Sequence, residues 1–174
     1  MFNKDGQKLL LLLRHAKSSW KDSNLKDHDR PLNKRGNKDG LEMGKVLKDL
    51  DINPDLIISS TAKRAVDTAK LVAKNCGYDK EIETNSNLYA STVDDYIDTI
   101  CSIDDEYQKI LVIGHNPVIE DLVQRLFNRV EIIPTCTLVQ MLLNIKSWNL
   151  LDRIDYKDVN LVRIIRPKDI DMPE

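Results

Sequence analysis

The stretch that decides the fold is LLLLLRHAKSSW, residues 9–20. Five leucines run without interruption into Arg14 and His15. A short, continuous apolar run is what a strand buried on both faces of a parallel sheet requires. Its end in a guanidinium and an imidazole places two anion-holding groups at the strand's carboxyl tip. The run is too short for the apolar core of a signal peptide, and Arg14 and Lys17 close it off.

Working outward, the same theme recurs. After a polar loop, KSSWKDSNLKDHDRPL, a helix is expected from Asn33, which can cap it, with Gly40, Met43, Leu47 and Leu50 on one face. Asn53-Pro54 breaks that pattern, and DLIIS at 55–59 reads as a second buried strand. A second helix carries Ala62, Ala65, Ala69, Val72 and Cys76 on one face and stops at Gly77. A short extended piece is expected near Ile82. A third helix over about 92–103 turns Val93, Ile97 and Ile100 inward, with Asp94 and Asp95 in its first turn. KILVIGHNPVIEDLVQRLF repeats strand, turn and helix, with Asn116 as cap and Pro117 at the first helical position. Further strands are expected at 138–145 and 160–166. Strands alternating with helices imply an α/β fold with a mostly parallel sheet.

The composition is that of a globular protein. Of 174 residues, 41% are hydrophobic and 31% charged, and 26 basic against 28 acidic residues leave a net charge of −2. That balance argues against nucleic acid or a membrane surface as partner. Cys76, Cys101 and Cys136 are odd in number and show no C-x-x-C spacing, which fits a reducing, cytoplasmic setting. No stretch approaches the ~20 apolar residues of a membrane span.

Chemistry collects at strand ends. Two of the three histidines, His15 and His115, directly follow expected strands, and Arg64 lies in the first helical turn after DLIIS. In an open α/β sheet the carboxyl ends of the strands form the ligand crevice. Each part alone reads as an ordinary strand terminus or turn; their coincidence at one edge carries the argument. Two guanidiniums can grip a phosphate bidentately. A neutral histidine can attack phosphorus, and a second, protonated one can stabilise the transferring oxygens. Other motifs fail: Gly40–Lys45 has the wrong spacing for a P-loop and Val46 where Ser or Thr belongs, and Ser59-Ser60 lies in no G-x-S-x-G elbow. No H-E-x-x-H or carboxylate cluster calls for a metal, and no cofactor is expected.

LLLLLRHAKS, DRPLNKRG, SSTAKRAVDTA and LVIGHNP, in this order and at these intervals, resemble the histidine phosphatase superfamily. RHAKS, LYAST at 88–92 and the closing RIIRPKDI are most similar to its SixA type, the phosphohistidine phosphatases. The resemblance implies a three-layer α/β/α, phosphoglycerate mutase-like fold and one histidine phosphatase domain over 1–174. It implies that His15 is the phosphorylated nucleophile, that Arg14 and Arg64 bind the phosphoryl group, and that His115 is the second catalytic histidine. Lys17, Ser18 and Asn116 are further candidates for substrate binding. Ala16 stands where the wider superfamily has glycine. The glutamate acid of mutases has no clear counterpart, which favours a leaving group better than an alkoxide, such as the imidazole of phosphohistidine. The expected partner is a protein phosphohistidine or a small phosphorylated substrate. The sequence assigns no role to the 19–30 loop with His28 and Arg30, and no oligomeric state.

Overall fold

The computed structural model describes residues 6–170. It is built on a six-stranded sheet in the order β3-β2-β4-β1-β5-β6. The strands are β1 (Lys8–Arg14), β2 (Leu56–Ser60), β3 (Glu83–Asn85), β4 (Lys109–Gly114), β5 (Leu138–Leu143) and β6 (Val159–Ile165). β1 pairs parallel with β4, β4 with β2, and β2 with β3. β5 is antiparallel to both β1 and β6, so it alone of the six runs against the rest.

The leucine run is the centre of this sheet. Leu10 and Leu12 face one core cluster, Leu9, Leu11 and Leu13 the other. Each fully buried leucine contributes about 1.5–3 kcal/mol. α1 (Lys34–Asp49) and α2 (Lys63–Cys76) cover one face through Met43, Leu47, Ala65, Ala69 and Val72. α3 (Val93–Cys101) and α4 (Val118–Phe127) cover the other, with Tyr96, Ile100, Leu122, Leu126 and the buried Trp148. A last turn, α5 (Pro167–Ile170), packs on α1. The result is the expected three-layer α/β/α sandwich.

The local signals act as read, with three exceptions. Asn33 caps α1 by accepting from the Gly36 N–H, Gly77 ends α2 in the left-handed conformation, and Asp94 and Asp95 lie in the first turn of α3, where Asp95 also closes a capping box with Thr92 that the sequence reading did not include. Leu50, however, lies beyond the end of α1 and is 36% exposed, so the buried face stops at Leu47. Asn116 does not cap α4: its side-chain amide donates to Ile133 O instead, and Pro117 occupies the cap position. The antiparallel direction of β5 also went unread. Its cause is the segment between α4 and β5, which returns the chain to the carboxyl edge of the sheet. There Cys136 N donates to the carbonyls of Arg14 and His15, and β5 starts back down from that edge.

Candidate active site

Three strand ends converge at that edge. β1 delivers Arg14 and His15, β2 delivers Ser60 and, through the start of α2, Arg64, and β4 delivers His115. The returning segment adds Thr135 and the Ile133 carbonyl, which accepts from Arg14 Nη1. The cleft between them has a volume of about 250 Å³ and is lined by Arg14, Arg30, Arg64 and Lys17, with His15 and His115 at its floor.

The two imidazoles lie with ring centroids 5.0 Å apart. His15 Nδ1 is 2.8 Å from Ala16 O, and a carbonyl can only accept, so Nδ1 carries the hydrogen. Nε2 therefore holds the lone pair and accepts from Arg64 Nε at 3.3 Å. The other ring follows the same logic. Arg64 Nη2 donates to His115 Nδ1 at 3.4 Å, which leaves His115 Nε2–H to donate to Ser60 Oγ at 2.8 Å. One guanidinium edge thus spans both histidines.

Burial, above all, pushes the His15 pKa down to about 4; the Ala16 bond opposes this, and the charges of Arg64, Arg14 and Arg30 add to it. Burial, then His15 and Arg64, push His115 down to about 3. Both rings are neutral in the open pocket near pH 7. The expectation of a protonated second histidine concerns the pocket with an anion bound; without one, the cations that line the cleft disfavour a further positive charge on His115.

The scaffold behind the rings is densely bonded. Thr68 Oγ1 accepts from Ala16 N and donates to Arg64 O, tying the RHAKS loop to α2. Tyr96 Oη accepts from His115 N and donates to Leu88 O. A Cβ at Gly114 would meet Tyr96 Oη at 1.9 Å, so the glycine of GHNP makes room for that hydroxyl. DRPLNKRG supports the loop from outside: Asn33 N donates to Lys17 O, and Ser19 N to Pro31 O.

Every singled-out residue lies at this cleft, in differing ways. Arg14 Nε is buried without a partner among the described residues, a donor free for an anion. Lys17 is exposed at the rim. The Ser18 hydroxyl is buried and accepts from Arg30 Nη1, so it acts through Arg30. Asn116 lines the wall with its amide committed to Ile133. The loop left unassigned is part of the site. Arg30 is buried beneath the exposed ring of Trp20, 3.5 Å from its centroid, and His28 fastens the loop to Thr61. Sequence reasoning missed Asp27, Ser60, Thr68 and Tyr89. Thr68 was within reach, one turn after Arg64 on the buried face of α2; Asp27 and Tyr89 carry no periodic signal.

A family model described as the histidine phosphatase superfamily (branch 1) matches residues 10–90. Over those residues, just under half of its length, the chain is similar to the histidine phosphatase superfamily. In fold, the chain resembles SixA from Agrobacterium tumefaciens, with a TM-score of 0.78, 24% identity, and coverage of 92% of this chain and 98% of that one. The protein histidine phosphatase SixA in complex with tungstate gives a TM-score of 0.78 at 18% identity over 93% and 99% of the two chains. At such identities the likeness shows the fold. Among curated relatives, a chloroplastic protein of Arabidopsis thaliana is 51% identical over 61 residues, 35% of this chain and 28% of the relative. A 2,3-bisphosphoglycerate-dependent phosphoglycerate mutase of Streptomyces avermitilis is 40% identical over 68 residues, 38% of this chain and 27% of the mutase. These alignments thus span under a third of each relative's length.

Proposed function

We propose that this chain is a histidine phosphatase superfamily member and hydrolyses phosphorylated histidine side chains through a covalent phospho-His15 intermediate. The observation that carries this reading is the bridged pair. Arg64 holds the lone pair of His15 Nε2 and the lone pair of His115 Nδ1 on one guanidinium edge, inside a cleft lined by four cations. A phosphoryl group entering there meets Arg14, Arg30 and Arg64 on its oxygens and His15 Nε2 at phosphorus. His15 Nε2 forms the new N–P bond while the substrate's P–N bond breaks, and the electron pair leaves on the departing imidazole, which takes its proton from water. Water then attacks phospho-His15, the N–P bond breaks, and orthophosphate leaves with His15 neutral again. The dianion's charge favours protonation of His115, which then stabilises the phosphoryl oxygens.

The substrate class rests on the cleft lining, which among the described residues includes no carboxylic acid. Asp27 is the carboxylate that contacts Arg64 and Arg30. Burial alone would raise its pKa, but the Tyr89 hydroxyl and the Arg64 and Arg30 guanidiniums outweigh that and hold it below the usual carboxylate range. It cannot protonate an alkoxide at neutral pH. A leaving imidazole needs no such donor within the cleft. The test compares phosphate release from a phosphohistidine peptide and from a sugar phosphate, for wild type and His15→Ala. Release from the peptide by wild type alone is expected. Preference for the sugar phosphate would keep the nucleophile and discard the substrate class.

A further inference from the structure

Asp27 does not line the cleft, yet it holds two of the guanidiniums that do. Arg64 Nη1 donates to Asp27 O at 2.7 Å and Nη2 to Asp27 Oδ2 at 3.1 Å. The end of the guanidinium is therefore clamped by one residue, and its side edge, Nε and Nη2, is left facing the histidine pair. The other carboxylate oxygen, Oδ1, accepts from Arg30 Nε at 3.0 Å and Nη2 at 2.9 Å. Arg30 Nη1 then reaches Ser18 Oγ. Two positive groups that would repel each other across the pocket are locked at fixed orientation by one negative group between them.

The clamp is itself braced. Tyr89 Oη donates to Asp27 Oδ2 at 3.0 Å, and the Tyr89 ring stands edge-on to His115, with centroids 5.7 Å apart, and to His28 at 4.8 Å. His28 Nε2 lies 3.0 Å from Thr61 Oγ1. Three separate parts of the chain, the 27–30 turn, the start of α2 and the segment before α3, thus meet on one carboxylate.

We propose that Asp27, braced by Tyr89, is the positioning residue of this pocket: it fixes the Arg64 and Arg30 guanidiniums so that their free donors match the equatorial oxygens of a transferring phosphoryl group. The reaction it serves is the one proposed above, and on that point the inference rests on that reading. Phosphoryl transfer depends on donors placed before the charge develops, and arginine achieves this only if its planar fork is held. Releasing the clamp leaves both charges in the pocket but frees their planes to rotate. Ground-state attraction for phosphate then persists while the match to the five-coordinate geometry is lost.

The experiment takes wild type, Asp27→Asn, Asp27→Ala and Tyr89→Phe through four readouts: kcat and KM on a phosphohistidine peptide, the ratio of inorganic phosphate to vanadate inhibition constants, and Tm. For the Asp27 variants kcat should fall roughly a hundredfold, the cost of misplacing a reacting group by about an ångström, with KM changing far less. The preference for vanadate over phosphate should shrink in parallel. Tyr89→Phe, which keeps the ring packing, should move the same readouts in the same direction by a smaller factor, and it stands in if the Asp27 variants do not fold. A drop in Tm with kcat and the vanadate preference intact would overturn the proposal and leave Asp27 a structural residue. If wild type turns over no phosphorylated probe, the phosphatase reading fails; the vanadate-to-phosphate ratio of Asp27→Asn against wild type then decides this proposal alone, an unchanged ratio refuting it.

Discussion

Gly36→Ala tests the support of the loop that follows His15 with one methyl group. A Cβ at Gly36 would lie 2.1 Å from Lys17 O and 2.9 Å from both Lys17 C and Lys17 N, and all three are backbone atoms. Ordinary contact begins near 3.4 Å, so α1 and the loop must part by about 1.3 Å. The Asn33 N–H bond to Lys17 O, 2.9 Å long, cannot survive a movement of that size, and Lys17 is two residues from His15. Alanine favours the helix by ~1 kcal/mol over glycine, while overpacking costs ~1–3 kcal/mol, so net stability should fall by no more than about 2 kcal/mol. Turnover should fall far more, roughly a hundredfold, because the loop carries His15, the proposed nucleophile. Gly40→Ala is the control. It receives the same helix gain, but its Cβ meets only the flexible Leu71 side chain, at 3.1 Å. The assay is kcat on a phosphohistidine peptide alongside Tm for both variants. Wild-type kcat in Gly36→Ala, or an equal loss in Gly40→Ala, would refute the reasoning.

Other consequences follow from the same geometry. His15 and His115 have folded pKa values of about 4 and about 3 against 6.5 unfolded, so below pH 6.5 the unfolded chain binds protons that the native one does not. Their contribution to stability is therefore intact above pH 6.5 and is lost as pH falls toward 4, worth roughly 3 kcal/mol for His15 at full extent. Urea midpoints measured across that window should show the loss, and a His15→Gln, His115→Gln double variant should show a flatter acid limb. Thr68→Val keeps the shape but strips the Ala16 N–H of its buried partner, and should cost about 1–3 kcal/mol in urea unfolding together with part of kcat. Arg64→Lys keeps the charge but cannot span both histidines; kcat should drop by ~10²–10³, as for loss of a preorganised donor, with the fold retained by circular dichroism.

The layout was legible in the sequence where a strand's end is also the site's edge. Arg14, His15, Arg64 and His115 were placed together because each follows an apolar run, and buried parallel strands must end at the crevice. Direction was less legible. Strands are legible at 138–145 and 160–166, close to the observed β5 and β6, but whether β5 runs with or against β1 depends on where the 128–137 segment returns, which no periodicity encodes. Asn116 looked like a cap because Asn before Pro fits that pattern, yet a carbonyl from the returning segment claimed its amide. Asp27 was illegible for a related reason: its partners, Arg64 and Tyr89, lie 37 and 62 residues away, and in sequence it is one charge among many in a polar loop.

The central claim is that His15 Nε2 becomes phosphorylated. Its most direct test is to mix the protein with a phosphohistidine peptide, quench rapidly at alkaline pH, where an N–P bond persists, and locate the phosphoryl group by mass spectrometry. The account predicts a transient adduct on His15, absent from His15→Ala, which should also release no phosphate. An adduct on another residue, or undiminished phosphate release by His15→Ala, would contradict it.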